Sequence, residues 1–358
     1  MFQAVRATEY VHYKKRLPLA PNIRPRSQHR RPISSAPADA LVSAPVGNAM
    51  ARNTHALFAH ASRNSTRAIV PINDCALEPG APRPAFYCVH SASGVAGTDF
   101  LDLAQRLEPT IRFYGIQAPP KQMPDTEFGN SVDSIAAYYA EALSKFQPTG
   151  PLLIGGYCVG AVIALAMIDK LRALGREVGP LLAIDGAPEN VGAAMSRWRA
   201  QYWIELARNV RGWFNHGDLM RSRTLRSLIW SIANNATAIG KGAIGLKRGQ
   251  KFGGGYAIEG IMDVSRYPPE HKSFVNRLFQ ALFAHTPKSY TGNVVVYEAT
   301  VKPLLYLPQI GHMWREFARQ AEVVEIVGTH ISMMHEPYVE SLANDMRRRI
   351  HAFFSAQP

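Results

Sequence analysis

Cysteine is scarce: three residues, Cys75, Cys88 and Cys158, in a chain of 358. Three thiols cannot build a disulfide framework, and such sparing use suits a reducing cytoplasm. No Cys/His spacing resembles a metal site, so no metal or other cofactor is expected. Long apolar runs are also missing. None approaches the roughly 20 residues that a membrane-spanning helix needs, which argues against a membrane partner. The first residues lack the continuous apolar stretch of a secretory signal. Acidic residues are the scarcer charged class, 27 against 40 Lys and Arg, for a net charge of +13.

The placement of that charge says more than its size. Residues 1–67 hold 11 Lys/Arg and 2 Asp/Glu, and residues 191–251 repeat those numbers. The remainder is net negative, so a mildly acidic body carries two basic attachments. Residues 1–80 are rich in Pro, Arg, Ser and Ala, show no periodicity, and read as a disordered basic tail. Arg24-Pro25-Arg26 and His29-Arg30-Arg31-Pro32 stand there without any nucleic-acid recognition motif, and nucleic acid is not expected as a partner. Hydrophobic residues make up 47% of the chain, enough for one large core over residues 81–358.

That body contains Gly156-Tyr157-Cys158-Val159-Gly160, which has the shape G-x-S-x-G with sulfur in place of oxygen. Pro151–Gly155 before it reads as a buried strand. Val159–Leu174 after it has apolar residues at helical spacing, with Gly175 just past the end. Strand, tight turn and helix are the context of a nucleophile elbow, which presents its central side chain at a helix N-terminus where the dipole favours an anion. Against this stands the ordinary behaviour of a free cysteine as a small buried hydrophobe. An elbow that keeps the fold but has lost the chemistry is a third reading.

A thiol nucleophile needs a base, and the base needs an orienting acid. The next strand, Pro180–Ile184, ends at Asp185-Gly186, which places a carboxylate at the ligand edge of a parallel sheet. Seven histidines follow: His216, His271, His285, His312, His330, His335 and His351. The late strand Val323–Val327 runs into Gly328-Thr329-His330, so His330 sits on a short loop able to reach the elbow. His335 is its nearest competitor, although it precedes Glu336-Pro337, where the closing helix is expected to begin. His285 and His312 fall in or near helical segments and read as surface or packing residues. Oxyanion donors are expected from the N–H of Val159 and from the small, Gly-rich loop His90–Gly97, which follows the strand Ala85–Val89. That loop reads equally well as an ordinary strand-to-helix turn.

Three stretches together resemble the thioesterase domains of nonribosomal peptide and polyketide synthases. They are Phe86-Tyr87-Cys88-Val89-His90-Ser91-Ala92-Ser93-Gly94, then Phe113-Tyr114-Gly115-Ile116-Gln117-Ala118-Pro119, then Gly328-Thr329-His330 with Ser332-Met333-Met334 and Glu336-Pro337. The 27-residue step from Cys158 to Asp185 fits as well. The resemblance covers about residues 84 to 355 and is weaker in the middle. It implies an α/β-hydrolase fold, a mostly parallel central sheet flanked by helices, with a helical lid inserted at about residues 190–290. It implies a triad of Cys158, Asp185 and His330, and an oxyanion hole from the N–H groups of Ala92 and Val159. It implies release or editing of acyl or peptidyl chains held as thioesters on a phosphopantetheine-bearing carrier protein.

Most members carry serine at the elbow. Cysteine variants are associated with cyclisation as well as hydrolysis, so the resemblance leaves open whether water or an internal nucleophile accepts the acyl group. A dienelactone-hydrolase-like enzyme acting on small esters or lactones, and a non-catalytic carrier-binding module, are the alternatives. In the lid segment, Trp198, Tyr202, Trp203, Trp213, Phe214 and Trp230 stand among arginines. They either line an acyl channel or form the lid's own packing core. Arg197, Arg199, Arg208 and Arg211 suit the docking of an acidic carrier. Gly240–Gly255 reads as a flexible connector.

Overall fold

A computed structural model describes residues 67–73, 83–119, 128–189, 200–216, 269–302 and 309–357. Seven strands form one sheet: β1 Ile69–Pro71, β2 Ala85–Val89, β3 Arg112–Ile116, β4 Ile154–Tyr157, β5 Leu181–Ile184, β6 Tyr290–Val301 and β7 Ala318–Thr329. Their order is β1-β3-β2-β4-β5-β6-β7, parallel throughout except for β1, which pairs antiparallel with β3. The helices are α1 Ala96–Asp99, α2 Leu101–Leu107, α3 Val132–Phe146, α4 Gly160–Ala173, α5 Ala200–His216, α6 Pro269–Ala284, α7 Ile310–Phe317 and α8 Val339–Ser355, with a 3₁₀ turn at Ser332–Met334.

The central strands are short and apolar on both faces. Every residue of β2, β4 and β5 is buried, as expected where helices cover a parallel sheet on two sides. One face packs on α3 and α4, with Ile135, Tyr139, Leu143, Ile163, Met167 and Leu171 in its core. The other packs on α2 and α8 through Leu103, Leu107, Leu342, Met346 and Ile350. In α3 the buried residues Val132, Ile135, Ala136, Tyr139, Ala140 and Leu143 recur at helical spacing. Its start is fixed by a reciprocal capping box between Ser131 and Ser134. At the end of α4, Gly175 N–H reaches Arg172 O (2.9 Å) and Arg176 N–H reaches Leu171 O (3.0 Å), the paired bonds of a Schellman stop. Helices on both faces of a crossover-connected parallel sheet, with the β4–α4 turn at its centre, make this the α/β-hydrolase fold.

Three boundaries differ from the sequence reading. The tail assigned to residues 1–80 contains β1, so the folded unit begins at about Ala68; Ala68, Ile69 and Val70 are each only 4% exposed. Three apolar residues stopped by a proline are too few to register as periodicity. Residues 1–66 and 74–80 of that tail lie outside the described part. The strand placed at Pro151–Gly155 starts instead at Ile154, because Leu152 exchanges its backbone bonds with Glu177 and Gly179 after α4. The closing helix starts at Val339 rather than at Glu336-Pro337, with the 3₁₀ turn intervening. Within the segment read as a lid, α5 and α6 are described, while the Gly240–Gly255 connector lies outside the described residues.

The end of β5 is held by a buried indole. Trp314 of α7 is fully buried and donates from Nε1 to the carbonyl of Gly186 (2.7 Å). Trp314→Phe leaves that buried carbonyl without its donor and is expected to cost about 1–3 kcal/mol, measured by urea unfolding; an unchanged midpoint would show that the bond is dispensable.

Candidate active site

Cys158 follows β4 directly and has φ 58°, a left-handed conformation that side chains rarely adopt. Its N–H donates to Ile184 O on the neighbouring strand (2.9 Å), which fixes the bend. Two glycines make the turn sterically feasible. A Cβ on Gly160 would lie 2.4 Å from His90 O, and one on Gly186 would lie 2.1 Å from Cys158 O. The backbone of the β2 loop, the elbow and the end of β5 can therefore touch. Cys158 itself is half-buried at the edge of both hydrophobic clusters.

Asp185 is the other non-glycine residue with positive φ among the described residues (φ 44°). Its N–H is held by Tyr297 O (2.7 Å), and its Oδ1 accepts from the Ala299 N–H of β6 (2.9 Å). Its Oδ2 accepts from Nδ1 of His330 at 2.6 Å. That bond fixes the tautomer and leaves Nε2 for another partner. His330 also interacts with the Cys158 side chain. Cys158, Asp185 and His330 thus meet in one place, although 145 residues separate Asp185 from His330. His335 does not meet them. Its Nδ1 pairs with Asp102 Oδ2 of α2 at 3.1 Å, both buried. His312 is exposed on α7 beside Glu316.

The His330 loop has its own support. Thr329 N–H donates to Ser332 Oγ (2.8 Å), and Ser332 N–H donates back to Thr329 Oγ1 (3.1 Å). Tyr157, inside the elbow pentapeptide, lies flat against the imidazole with ring centroids 4.9 Å apart, and its hydroxyl donates to His330 O (2.8 Å). Sequence reasoning missed Tyr157, because its role depends on a loop more than 170 residues away. The occurrence of an aromatic within the elbow was the available signal.

Electrostatics follow from burial and pairing. Burial raises the pKa of Asp185, but the hydrogen bond from His330, the charge of Lys302 and the Ala299 N–H outweigh it and hold the carboxyl below its ordinary range. Burial disfavours charge on His330 too, yet the negative Cys158 sulfur and the Asp185 carboxylate lift its pKa to about 10. The N-terminus of α4 begins beside the same residues, and its N-cap Val159 makes no side-chain cap bond. Ala92 is half-buried beside the same core. Among the described residues, neither the Ala92 nor the Val159 N–H has an acceptor.

Residues 84–244 match the family model of the thioesterase domain. The chain is 32% identical over 31% of its length to a probable non-canonical nonribosomal peptide synthetase, CymA, of Salinispora arenicola, covering 1% of that protein. Chondramide synthase of Chondromyces crocatus is 23% identical over 87% of the chain and 8% of its own length. The chain therefore spans only a small part of these curated relatives. Among solved structures, a four-domain nonribosomal peptide synthetase bound to AMP and glycine superposes over 79% of this chain and 20% of its own, with a TM-score of 0.50 at 18% identity. That likeness extends the fold beyond the residues that the thioesterase family model covers.

The segment inserted between β5 and β6 touches the site through α5 and α6. Asn209 of α5 exchanges bonds with the Lys302 backbone, donating to its O (3.1 Å) and accepting from its N–H (2.7 Å). His271 of α6 lies 2.5 Å through Nε2 from Ser93 O in the β2 loop. Its burial lowers its pKa. Of the aromatics in this segment, Tyr202 is buried and Trp203 is exposed. Trp198, Trp230, Arg197 and Arg199 lie outside the described residues, and Arg208 and Arg211 are exposed on α5. Among the described residues no helix is long and apolar enough to cross a membrane.

The folded pKa of His330, about 10, stands above its unfolded value of about 6.5. The stabilisation that the charged imidazole gives is complete below about pH 6.5 and is lost as pH rises toward the folded value. NMR titration is expected to find His330 still an imidazolium at about pH 8, and Asp185→Asn is expected to move its midpoint down by about one unit or more. A wild-type imidazole already neutral at pH 7 would contradict the pairing.

Proposed function

We propose that this chain transfers acyl or peptidyl groups from a carrier-protein thioester through a covalent intermediate on Cys158. The observation that carries the reading is the meeting of Cys158 with His330, itself held by Asp185 at 2.6 Å. In the first step the Cys158 sulfur attacks the thioester carbonyl, forming a new C–S bond. The oxyanion takes the N–H groups of Val159 and Ala92. Collapse breaks the bond to the phosphopantetheine sulfur, which leaves with the proton from His330. In the second step His330 accepts a proton from water or from an internal hydroxyl or amine. That nucleophile then attacks, and the bond to Cys158 breaks. Asp185 stays ionised and keeps the imidazole oriented.

Sulfur at the elbow has a thermodynamic consequence. Exchange from one thioester to another is close to isoenergetic, so the acyl-enzyme keeps the transfer potential of the carrier thioester. An ester on serine would lose part of it. The cysteine enzyme is therefore suited to uphill products such as a strained ring as well as to hydrolysis. No cofactor enters either step.

The carrier as partner is supported by the kind of proteins that match, among them a probable non-canonical nonribosomal peptide synthetase, and by the basic character of residues 191–251 against an acidic carrier. Intact-protein mass spectrometry with an acyl-carrier substrate is expected to find the acyl group on Cys158. Cys158→Ala should lose at least about 10³-fold in turnover. Cys158→Ser is expected to release acyl groups more slowly and to give less cyclic product. A serine variant with unchanged rate and product would mean that sulfur has no special part.

Arg208 and Arg211 are exposed on α5, and Arg208 pairs with Glu205 three residues before it. Reversing Arg197, Arg199, Arg208 and Arg211 to glutamate is expected to raise KM for a carrier-bound substrate about tenfold while sparing a small soluble thioester. An equal effect on both substrates would refute docking.

A further inference from the structure

His90 is fully buried and has no place in the transfer steps described above. Both of its ring nitrogens are nevertheless engaged. Nδ1 lies 2.5 Å from Ser91 O, and Nε2 lies 2.8 Å from the hydroxyl of Tyr139 on α3. A carbonyl oxygen can only accept, so the proton sits on Nδ1, and Nε2 accepts from the tyrosine. Burial, partly opposed by the bond to Ser91, lowers the pKa of His90 to about 4, which keeps the ring neutral in this tautomer. Tyr139 is also fully buried, with its ring perpendicular to the imidazole at 5.8 Å.

The carbonyl that His90 grips belongs to the Ser91–Ala92 peptide. The N–H at the other end of that peptide is the Ala92 donor. A peptide is a rigid plane, so a hydrogen bond on its oxygen fixes where its N–H points. Such a bond also polarises the amide and strengthens the N–H as a donor. The neighbouring peptide is pinned as well, since Ser91 N–H donates to Asp99 Oδ2 (3.0 Å). Gly94 N–H shares the Ser91 oxygen at 3.2 Å, closing the turn around Ala92. Each of these bonds holds the loop, and the one from His90 links it through Tyr139 to the buried face of α3.

We propose that His90 is a positioning residue for acyl transfer, acting through the Ser91–Ala92 peptide to aim and polarise the Ala92 N–H at the oxyanion. The Ser91 carbonyl fixes its tautomer, and Tyr139 holds the ring from behind by donating to Nε2. This inference rests on the acyl-transfer reading and adds a relay behind the oxyanion hole: Tyr139 hydroxyl, His90 ring, Ser91 carbonyl, Ala92 N–H.

The test compares two reactions of the same sulfur. Acylation of Cys158 by a small activated thioester builds an oxyanion. Alkylation by iodoacetamide forms a C–S bond at a saturated carbon and expels iodide, so no oxyanion arises. His90→Leu fills the space without a donor. His90→Asn places an amide N–H near the position of Nδ1. Tyr139→Phe removes the partner of Nε2 and leaves the ring in place. His90→Leu is expected to slow acylation about 10- to 100-fold, with KM and the alkylation rate within about twofold of wild type. His90→Asn should recover most of the loss, and Tyr139→Phe should slow acylation alone by a few fold.

Acylation at the wild-type rate in His90→Leu would overturn the proposal. So would a parallel fall of acylation and alkylation in every soluble variant, which marks a purely structural residue. Where His90→Leu does not fold, His90→Asn and Tyr139→Phe decide by the same comparison. Wild-type protein that alkylates at Cys158 but never acquires an acyl group would sink the acyl-transfer reading itself, and this inference with it. Wild type that acylates beside an unaffected His90→Leu would sink only the relay.

Discussion

The hydrogen bond between Asp185 and His330 ties the two ends of the sheet's functional edge together. Asp185 sits at the end of β5, fixed by β6 through Tyr297 O and the Ala299 N–H. His330 follows β7 on a loop braced by Thr329 and Ser332. Neither residue can shift without disturbing a strand pairing. Both lie where charge is costly, and each is kept charged by the other. The thiol at the elbow completes this pair electrostatically. Remove the carboxylate, and the imidazole has no reason to hold its orientation. Remove the imidazole, and a buried carboxylate is stranded.

Strain is spent where that geometry requires it. Cys158 and Asp185 are the non-glycine residues held at positive φ among those described, and conformations of this kind cost of order 1–3 kcal/mol each. The surrounding sheet makes the outlay tolerable, because both backbones are locked by strand-to-strand bonds, Cys158 N–H to Ile184 O and Asp185 N–H to Tyr297 O. The close packing of Gly160 and Gly186 on their neighbours leaves no room to relax. A strained pair held by rigid parallel strands is a preorganised site, needing little rearrangement when charge develops.

Much of this was legible in the sequence, for physical reasons. β2 and β5 carry unbroken apolar runs because both faces are covered, and their predicted spans agree closely with those observed. The G-x-C-x-G spacing is dictated by steric contacts that only glycine permits, so it announces the elbow directly. His330 was readable because a short loop after a strand is itself a local feature. Other parts were hidden. β1 is three residues long and gains its burial only by pairing with β3. The choice between His330 and His335 turns on Asp102, which lies in α2 and draws His335 away. The stacking of Tyr157 on His330, and the bond from His271 to Ser93, join segments far apart in the chain. No local pattern encodes such contacts, and only the folded arrangement reveals them.

The two-way clasp between Asn209 and the Lys302 backbone has a bearing on how enzymes of this design diversify. It rivets the inserted segment to Lys302, directly after β6, the strand that steadies the acid. A graft that replaced the insertion would need to preserve this rivet or supply its equivalent, and the bond from His271 to Ser93 O sets a second such anchor.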